Sequence, residues 1–422
     1  MRESPGFVVQ AGRYWYVTPE VVARVLFAEG WESWVRGDPG RFFEKLPAEF
    51  RLQLLDRVAT HGTKEVRDQV SAFFRGWFAR LTARDLADPA ATAMAGALAE
   101  ASPAEYLPRL RGVIEGAQPG ELQAIAGHAL GVKWGPRRTL VWLLERLVSF
   151  PEFFEDCEAG LFRLSLEESE PEIGNNATAI WTGLFSVFTS GTASPFDHRL
   201  SLAERRARSS AIGEASLAFA AFAKALQRPG WHLLGEPIVA GRVRPKDWQP
   251  ATADEETACY RGVLEICAAR LNTGRDGEHH RFAFKVLVES LYFVLERGLA
   301  DDLARIVTPE SIAEDESRRL VQAIDDFLEH EETRGSATHD GHAAYLRNVR
   351  EWSKLFRPND FVGRLRSVCA RAPWDQRFVR DPSKEKDDMD DLGAMIARHA
   401  LGQAVCVPAV TSTPLLSVPR KR

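Results

Sequence analysis

From residue 46 onward, apolar residues recur at intervals of three and four, the period of a helix buried along one side. Proline or glycine interrupts that period after every roughly 10 to 20 residues. Leu52, Leu55 and Val58 share one face. Val70, Phe73, Phe74, Trp77 and Phe78 form the next stripe, and Leu140, Leu143, Leu144 and Leu147 a third. The breaks fall at His61-Gly62-Thr63, Ala87-Asp88-Pro89, Ala101-Ser102-Pro103, Ala117-Gln118-Pro119-Gly120, Trp134-Gly135-Pro136 and Phe150-Pro151. Helices this short cannot bury their stripes alone, so they must pair and stack. Pairs spaced by roughly 35 to 45 residues fit irregular HEAT-like repeats, with a closed non-repeating helical domain as the other arrangement of the same pattern. The pattern continues over Ala211 to Leu226, Glu255 to Leu271, His280 to Glu296, and Ser317 to Leu328 with Leu320, Ile324, Phe327 and Leu328 on one side. We expect an all-α fold, an irregular HEAT-like helical array with a short β-hairpin at its N-terminus as a winged-helix remnant, and no strand beyond that hairpin.

The opening reads as that hairpin. Phe7-Val8-Val9 and Tyr14-Trp15-Tyr16-Val17 flank a turn at Gly12, and Thr18 and Pro19 suit the N-cap and first position of a helix over Glu20 to Glu29. Val21, Val22, Val25 and Leu26 make the apolar stripe of this helix. Five segments follow: residues 1–45, hairpin plus helix; 46–234, a first array; 235–257, an irregular loop across the outside of the array; 258–380, a second array; and 381–422, a charged linker, a short helix and a disordered tail. Gly235, Pro237, Gly241, Pro245 and Pro250 deny the loop a long helix, and Glu329 to Gly341 reads as a solvated connection.

The chain of 422 residues is 45% hydrophobic and 27% charged, which is a globular composition. Its net charge of -5 supplies no global field toward nucleic acid or anionic lipid. Met1 to Gly6 leads into no apolar signal core, and the five cysteines are scattered and odd in number, so we expect a cytoplasmic protein with reduced thiols. The uncharged stretches near Ile173 to Phe196 and His399 to Pro419 are broken by Asn, Gly, Ser and Pro, and neither reads as a membrane span.

No phosphate-binding loop, dinucleotide turn, H-E-x-x-H motif or nucleophile elbow occurs. His279-His280 and His339-x-x-His342 each lack a third ligand, Cys259 and Cys267 lack metal or redox spacing, and Asp387, Asp388, Asp390 and Asp391 lack the glycine and glutamate of a calcium loop. We therefore expect no cofactor, no metal and no enzymatic activity. Trp34 with Arg36 and Arg41, Trp134 with Lys133, Arg137 and Arg138, and Trp248 with Arg242, Arg244 and Lys246 place aromatic beside basic residues, the composition of a nucleic-acid contact. A nucleic-acid-binding accessory protein using the N-terminal hairpin is accordingly the alternative function.

The stretch Gly174-Asn175-Asn176-Ala177-Thr178, followed by Ile180, Trp181, Leu184, Phe185, Phe188 and Ser190-Gly191-Thr192-Ala193-Ser194-Pro195, supports two readings. One is a cap, a buried helix and a turn. The other is a recognition surface formed by Asn175, Asn176, Thr189, Ser190, Thr192 and Arg199, with Arg242, Arg244, Lys246 and Trp248 from the later loop.

Leu140-x-x-Leu143-Leu144-x-x-Leu147, Phe150-Pro151-x-Phe153-Phe154, Asn175-Asn176-Ala177-Thr178, Trp181-x-x-Leu184-Phe185, Ser190-Gly191-Thr192-Ala193 and Arg199-Leu200 together resemble a helical region of large bacterial STAND-type NTPases. Gly241 to Pro250 resembles the polar loop that follows it, and Gly12-Arg13-Tyr14-x-x-Val17-x-Pro19 the end of their winged-helix region. The resemblance spans most of residues 1 to 380. It implies the sensor part of a defence system in which an effector and an ATPase core precede a target-sensing helical array. The Walker motifs and the effector are missing from this sequence, which leads us to expect a split subunit or a fragment of that architecture. The expected function is a non-enzymatic recognition scaffold whose partner is a protein, either an NTPase subunit or a phage protein.

Overall fold

A computed structural model describes residues 8–11, 14–17, 20–125, 135–228, 238–272, 277–334 and 340–358. The first pair of strands, β1 (Val8–Ala11) and β2 (Tyr14–Val17), is antiparallel with Val8 opposite Val17 and Ala11 opposite Tyr14. Gly12, Thr18 and Pro19, read above as turn, cap and first helical position, lie outside the described residues.

Sixteen α-helices follow among the described residues. They are α1 (Glu20–Trp34), α2 (Pro39–Lys45), α3 (Ala48–His61), α4 (Lys64–Phe78), α5 (Pro89–Ala101), α6 (Pro103–Glu115), α7 (Pro136–Leu147) and α8 (Phe154–Leu166). Then come α9 (Ala177–Gly183), α10 (Phe196–Ala207), α11 (Ile212–Ala225), α12 (Ala253–Leu271), α13 (Glu278–Glu296), α14 (Ala300–Ile306), α15 (Glu314–Thr333) and α16 (Asp340–Lys354). The architecture is the expected all-α irregular array with a small N-terminal hairpin.

The prolines that interrupt the helical period start helices rather than merely ending them. Pro39, Pro89, Pro103 and Pro136 each occupy a first turn, where the missing N–H has no intrahelical acceptor to lose. Side-chain caps fix several starts. Asp38 accepts from the Arg41 N–H at 2.9 Å, Asp88 from Ala91 at 3.1 Å, and Thr252 from Glu255 at 3.1 Å.

The chain divides into two compact units, residues 1–307 and 308–422. In the first, α3 packs on α5 and α5 on α7, while α6 packs on α8, α8 on α9, α9 on α11 and α11 on α13. Leu140, Leu143, Leu144 and Leu147 are all buried in this stack. A polar pair threads it: the Trp181 indole donates to Glu158 at 3.0 Å, and Arg206 reaches the other carboxylate oxygen at 3.2 Å. In the second unit α15 packs on α16, burying Leu320, Ile324, Phe327 and Leu328 with Leu346, Val349, Trp352 and Phe356.

The structure corrects three expectations. A second hairpin, β3 (Ile238–Val239) with β4 (Arg242–Val243), lies in the segment read as strandless. Its two-residue turn, Ala240-Gly241, has both residues at positive φ, the backbone of a type I′ hairpin turn. Glycine is needed at 241, where a Cβ would run into the Arg67 guanidinium, and Ala240 is held by Arg67 Nη1 donating to its carbonyl at 3.1 Å. Next, α15 extends through Thr333, because its buried stripe continues one turn past Leu328 to Glu331. Finally, Val21, Val25 and Leu26 face solvent. The buried side of α1 is instead set by Trp31, whose indole donates to Gln69 at 2.9 Å, with Val35 buried just past the end of the helix.

No helix among the described residues is long and apolar enough to cross a membrane. The short helix and tail expected beyond residue 381, and the stretch His399 to Pro419, lie outside the described residues.

Candidate functional site

Two stretches distant in sequence meet in the first unit. The turn after α9 carries Thr189 and Gly191 at positive φ, a bend that exposes its backbone groups to capture. The segment after β4 supplies the partners. Asp247 accepts from the Gly191 N–H at 2.8 Å, Arg244 donates to the Gly191 carbonyl at 3.2 Å, and the Trp248 N–H donates to the Thr192 carbonyl at 2.9 Å. The Ala193 N–H donates in turn to Ser149 at 3.1 Å.

Arg199, on α10, sits beneath this clasp, fully buried. Its Nε donates to Ser194 at 2.9 Å, and Nη1 donates to the Leu184 carbonyl and to that of Ser186 at 2.8 Å. The guanidinium also lies 5.2 Å from the Phe196 ring centre and 5.7 Å from that of Trp248, two rings tilted only 23° from each other. Burial pulls its pKa down to about 10, which still leaves it charged at neutral pH. Arg199 therefore ties three carbonyls to one aromatic pair.

The ten residues read as a recognition surface thus separate by environment. Ser190, Thr192 and Arg199 are buried in the clasp, with Thr189, Arg244 and Trp248 half-buried around it. Asn175 and Asn176 serve a different anchor. Asn176 caps α9, accepting from Ala179 at 2.8 Å and donating to Glu170 at 3.1 Å, while the Asn175 carbonyl accepts from Arg138 at 2.8 Å. Asn175, Arg242 and Lys246 are the exposed members. Arg242 pairs with Glu152 at 2.7 Å and covers the Phe150 ring at 4.1 Å, joining the second hairpin to the turn before α8.

Arg137 and Arg138, read with Trp134 as a possible nucleic-acid contact, are fully buried. Arg137 donates to the carbonyls of Leu122 at 2.9 Å, Leu164 at 2.7 Å and Glu167 at 3.0 Å, and Arg138 lies 3.2 Å from the Glu170 carboxylate. Neither guanidinium can reach a phosphate. Trp134 lies outside the described residues.

Sequence reading missed one constellation, although its spacing Ser194-x-x-x-His198 is visible. The Ser194 hydroxyl lies 3.1 Å from His198 Nδ1, and His198 Nε2 lies 3.0 Å from Glu155. The chain of groups has the types of a hydrolytic triad, yet Ser194 is fully buried and has no path to a substrate carbonyl. It acts as a clamp at the start of α10. His279 and His280 turn to different partners, the Ser209 and Leu271 carbonyls, and among the described residues no group of three or more His, Cys, Asp or Glu is placed to hold a metal ion. Burial raises the thiol pKa of Cys259 to about 11 and of Cys267 to about 12, and that of Cys157 well above its ordinary value. These three thiols are protonated and enclosed at neutral pH.

The other missed feature is apolar. Among the described residues nine large hydrophobic side chains are exposed, and six of them, Val21, Val25, Leu26, Trp34, Phe50 and Phe73, belong to α1, α3 and α4. Val21 and Val25 are 71% and 52% exposed and stand one turn apart, with Leu26 beside them at 47%; Trp34, at the end of the same helix, is 82% exposed. Phe73 stacks on the buried Phe43 at 5.7 Å, so its outer ring face continues the core to the surface. Comparison with known proteins finds no family model and no curated protein that matches the chain.

Proposed function

We propose that this protein is a non-enzymatic recognition scaffold whose N-terminal end docks on a protein partner. The observation that carries this reading is the gathering of exposed large apolar side chains on α1, α3 and α4. Val21 and Val25 stand one turn apart and largely exposed on α1, Leu26 and Trp34 are exposed at other angles of the same helix, and Phe50 and Phe73 are exposed on α3 and α4. Exposed apolar side chains gathered in one part of a molecule mark an interaction surface. Tryptophan is also the residue type most concentrated at the energetic centre of protein interfaces. The resemblance to the sensor region of STAND-type NTPases supports a cytoplasmic NTPase subunit or a phage protein as the partner, in a defence system where the array senses a target.

Affinity capture of the full-length tagged chain from its native cytoplasm, before and during phage challenge, tests the proposal when run beside Val25→Glu/Leu26→Glu. Both positions are exposed, so the variant keeps the fold. A protein recovered in stoichiometric amount with the wild type and reduced about tenfold with the variant supports docking through α1. Equal recovery by both, or recovery of the bait alone, contradicts it.

A further inference from the structure

The first unit contains an open cleft of about 980 Å3 between the turn that follows α4 and the second half of α6. The two helices are tied through the start of α6. The Tyr106 hydroxyl donates to the Ser71 carbonyl, its ring lies 4.5 Å from Phe78, and Arg75 pairs with Glu105 at 2.7 Å. Past Phe78 the chain turns away, braced by Thr82 donating to Asp85 from its N–H at 2.8 Å and its hydroxyl at 2.7 Å. On the opposite wall α6 presents Gly112 and its C-cap is Gly116, neither of which supplies a side chain to fill the space. A Cβ placed on Gly112 meets no atom within 4 Å.

The floor is apolar and firmly packed, with Phe78, Leu81 and Ala83 buried beneath it and Val113 beside the glycines. The rim is basic. Arg84, Arg109 and Glu121 are the charged lining residues, and Glu121 is already committed, accepting from the Gln118 N–H at 2.9 Å and from Arg84 at 3.0 Å. Those bonds hold its carboxyl below the ordinary range, the backbone N–H first. Arg109 makes no direct ion pair among the described residues and acts only through space on Glu105, one turn back on α6, which is itself paired with Arg75. The cleft therefore presents a guanidinium with no carboxylate in contact above an apolar floor.

We propose that this cleft binds a short acidic-apolar peptide segment of a partner protein. A large apolar side chain lies over Gly112 and Gly116, and a carboxylate a few residues away pairs with Arg109. A groove without side chains on one wall admits a bulky residue with no rearrangement, and the lone guanidinium selects an acidic neighbour over a basic one. This site is separate from the outer face of α1 and does not depend on it.

The test is selection of a phage-displayed random dodecapeptide library on the immobilised full-length chain. Enriched peptides are then labelled with fluorescein and titrated by fluorescence polarisation. We expect enriched peptides to carry Asp or Glu close to Leu, Phe, Met or Trp. Gly112→Trp, which fills the open space, and Arg109→Glu, at an exposed position, should each weaken binding about tenfold or more. Their thermal melting should stay at the wild-type value, and Val25→Glu/Leu26→Glu should leave peptide affinity unchanged. The proposal is overturned by an absence of enrichment, by enriched peptides without acidic residues, by affinity that neither cleft variant alters, or by affinity lost only in the α1 variant.

Discussion

Arg199 shows how a residue that looks like surface chemistry in one dimension becomes structure in three. A charged side chain beside Ser, Thr and Gly reads as recognition because burial is invisible in local sequence. In the fold it is enclosed by Leu184, Ser186 and Ser194 carbonyls and by Phe196 and Trp248. Arg137 and Arg138 repeat the pattern, each holding a turn by its backbone oxygens. Arginine suits the task because its planar fork donates in several directions at once. Arg199→Met keeps much of the side-chain volume but strips three buried carbonyls of a donor. Each orphaned carbonyl costs about 1–3 kcal/mol, partly offset by no longer burying a charge, so we expect a loss of roughly 3 kcal/mol in urea unfolding. A change below about 0.5 kcal/mol would show that the clasp does not depend on this guanidinium.

At the scale of elements, helix existence was legible and helix orientation was not. The three-four spacing located the stripes of α3, α4 and α7, and the Asp-Pro, Ser-Pro and Gly-Pro breaks marked α5, α6 and α7. The rotation of α1 was hidden because apolar residues occur around its whole circumference: Val21, Val25, Leu26 and Trp34 are exposed and Trp31 is buried. Only the packing of α3 and α4 decides between them. The second hairpin was hidden for another reason. Two residues per strand are too few to show alternation, and its turn has Ala240 where Asn or Gly is the usual signal. For α9 the cap was readable, and the geometry separates its two proposed roles. Asn176→Ala removes the cap bond to the Ala179 N–H and one of the two donors to the Glu170 carbonyl, which keeps the Ile173 N–H, so it should destabilise the first unit by about 1 kcal/mol. The exposed Asn175→Ala should cost less, since its bond to Arg138 runs mainly through the backbone carbonyl. Chemical denaturation of both variants checks the order. Unchanged stability of Asn176→Ala, with weakened partner capture, would return this asparagine to recognition.

At the scale of the whole molecule, the sequence forces stacking but does not say where stacking ends. A run of amphipathic helices specifies that each must be covered, and the order in which α3, α5, α7 and then α8, α9, α11 and α13 cover one another follows from tertiary packing alone. The clasp of Gly191 by Asp247 and Arg244, and of Thr192 by Trp248, joins residues more than fifty positions apart, a distance at which local pattern carries no information. What remains uncovered among the described residues is concentrated on α1 and the neighbouring Phe50 and Phe73. The polar turns the sequence singles out are largely tied into the fold, and the proposed docking rests instead on these exposed apolar side chains. Hydrogen–deuterium exchange of the full-length chain, alone and with its captured partner, tests this most directly. Docking through the N-terminal end predicts slowed exchange in α1, in the first turn of α3 around Phe50 and in α4 around Phe73, with the segments 184–199 and 241–248 unchanged because they lie outside the proposed interface. Slowed exchange confined to 184–199 and 241–248, with α1 unaffected, would contradict it.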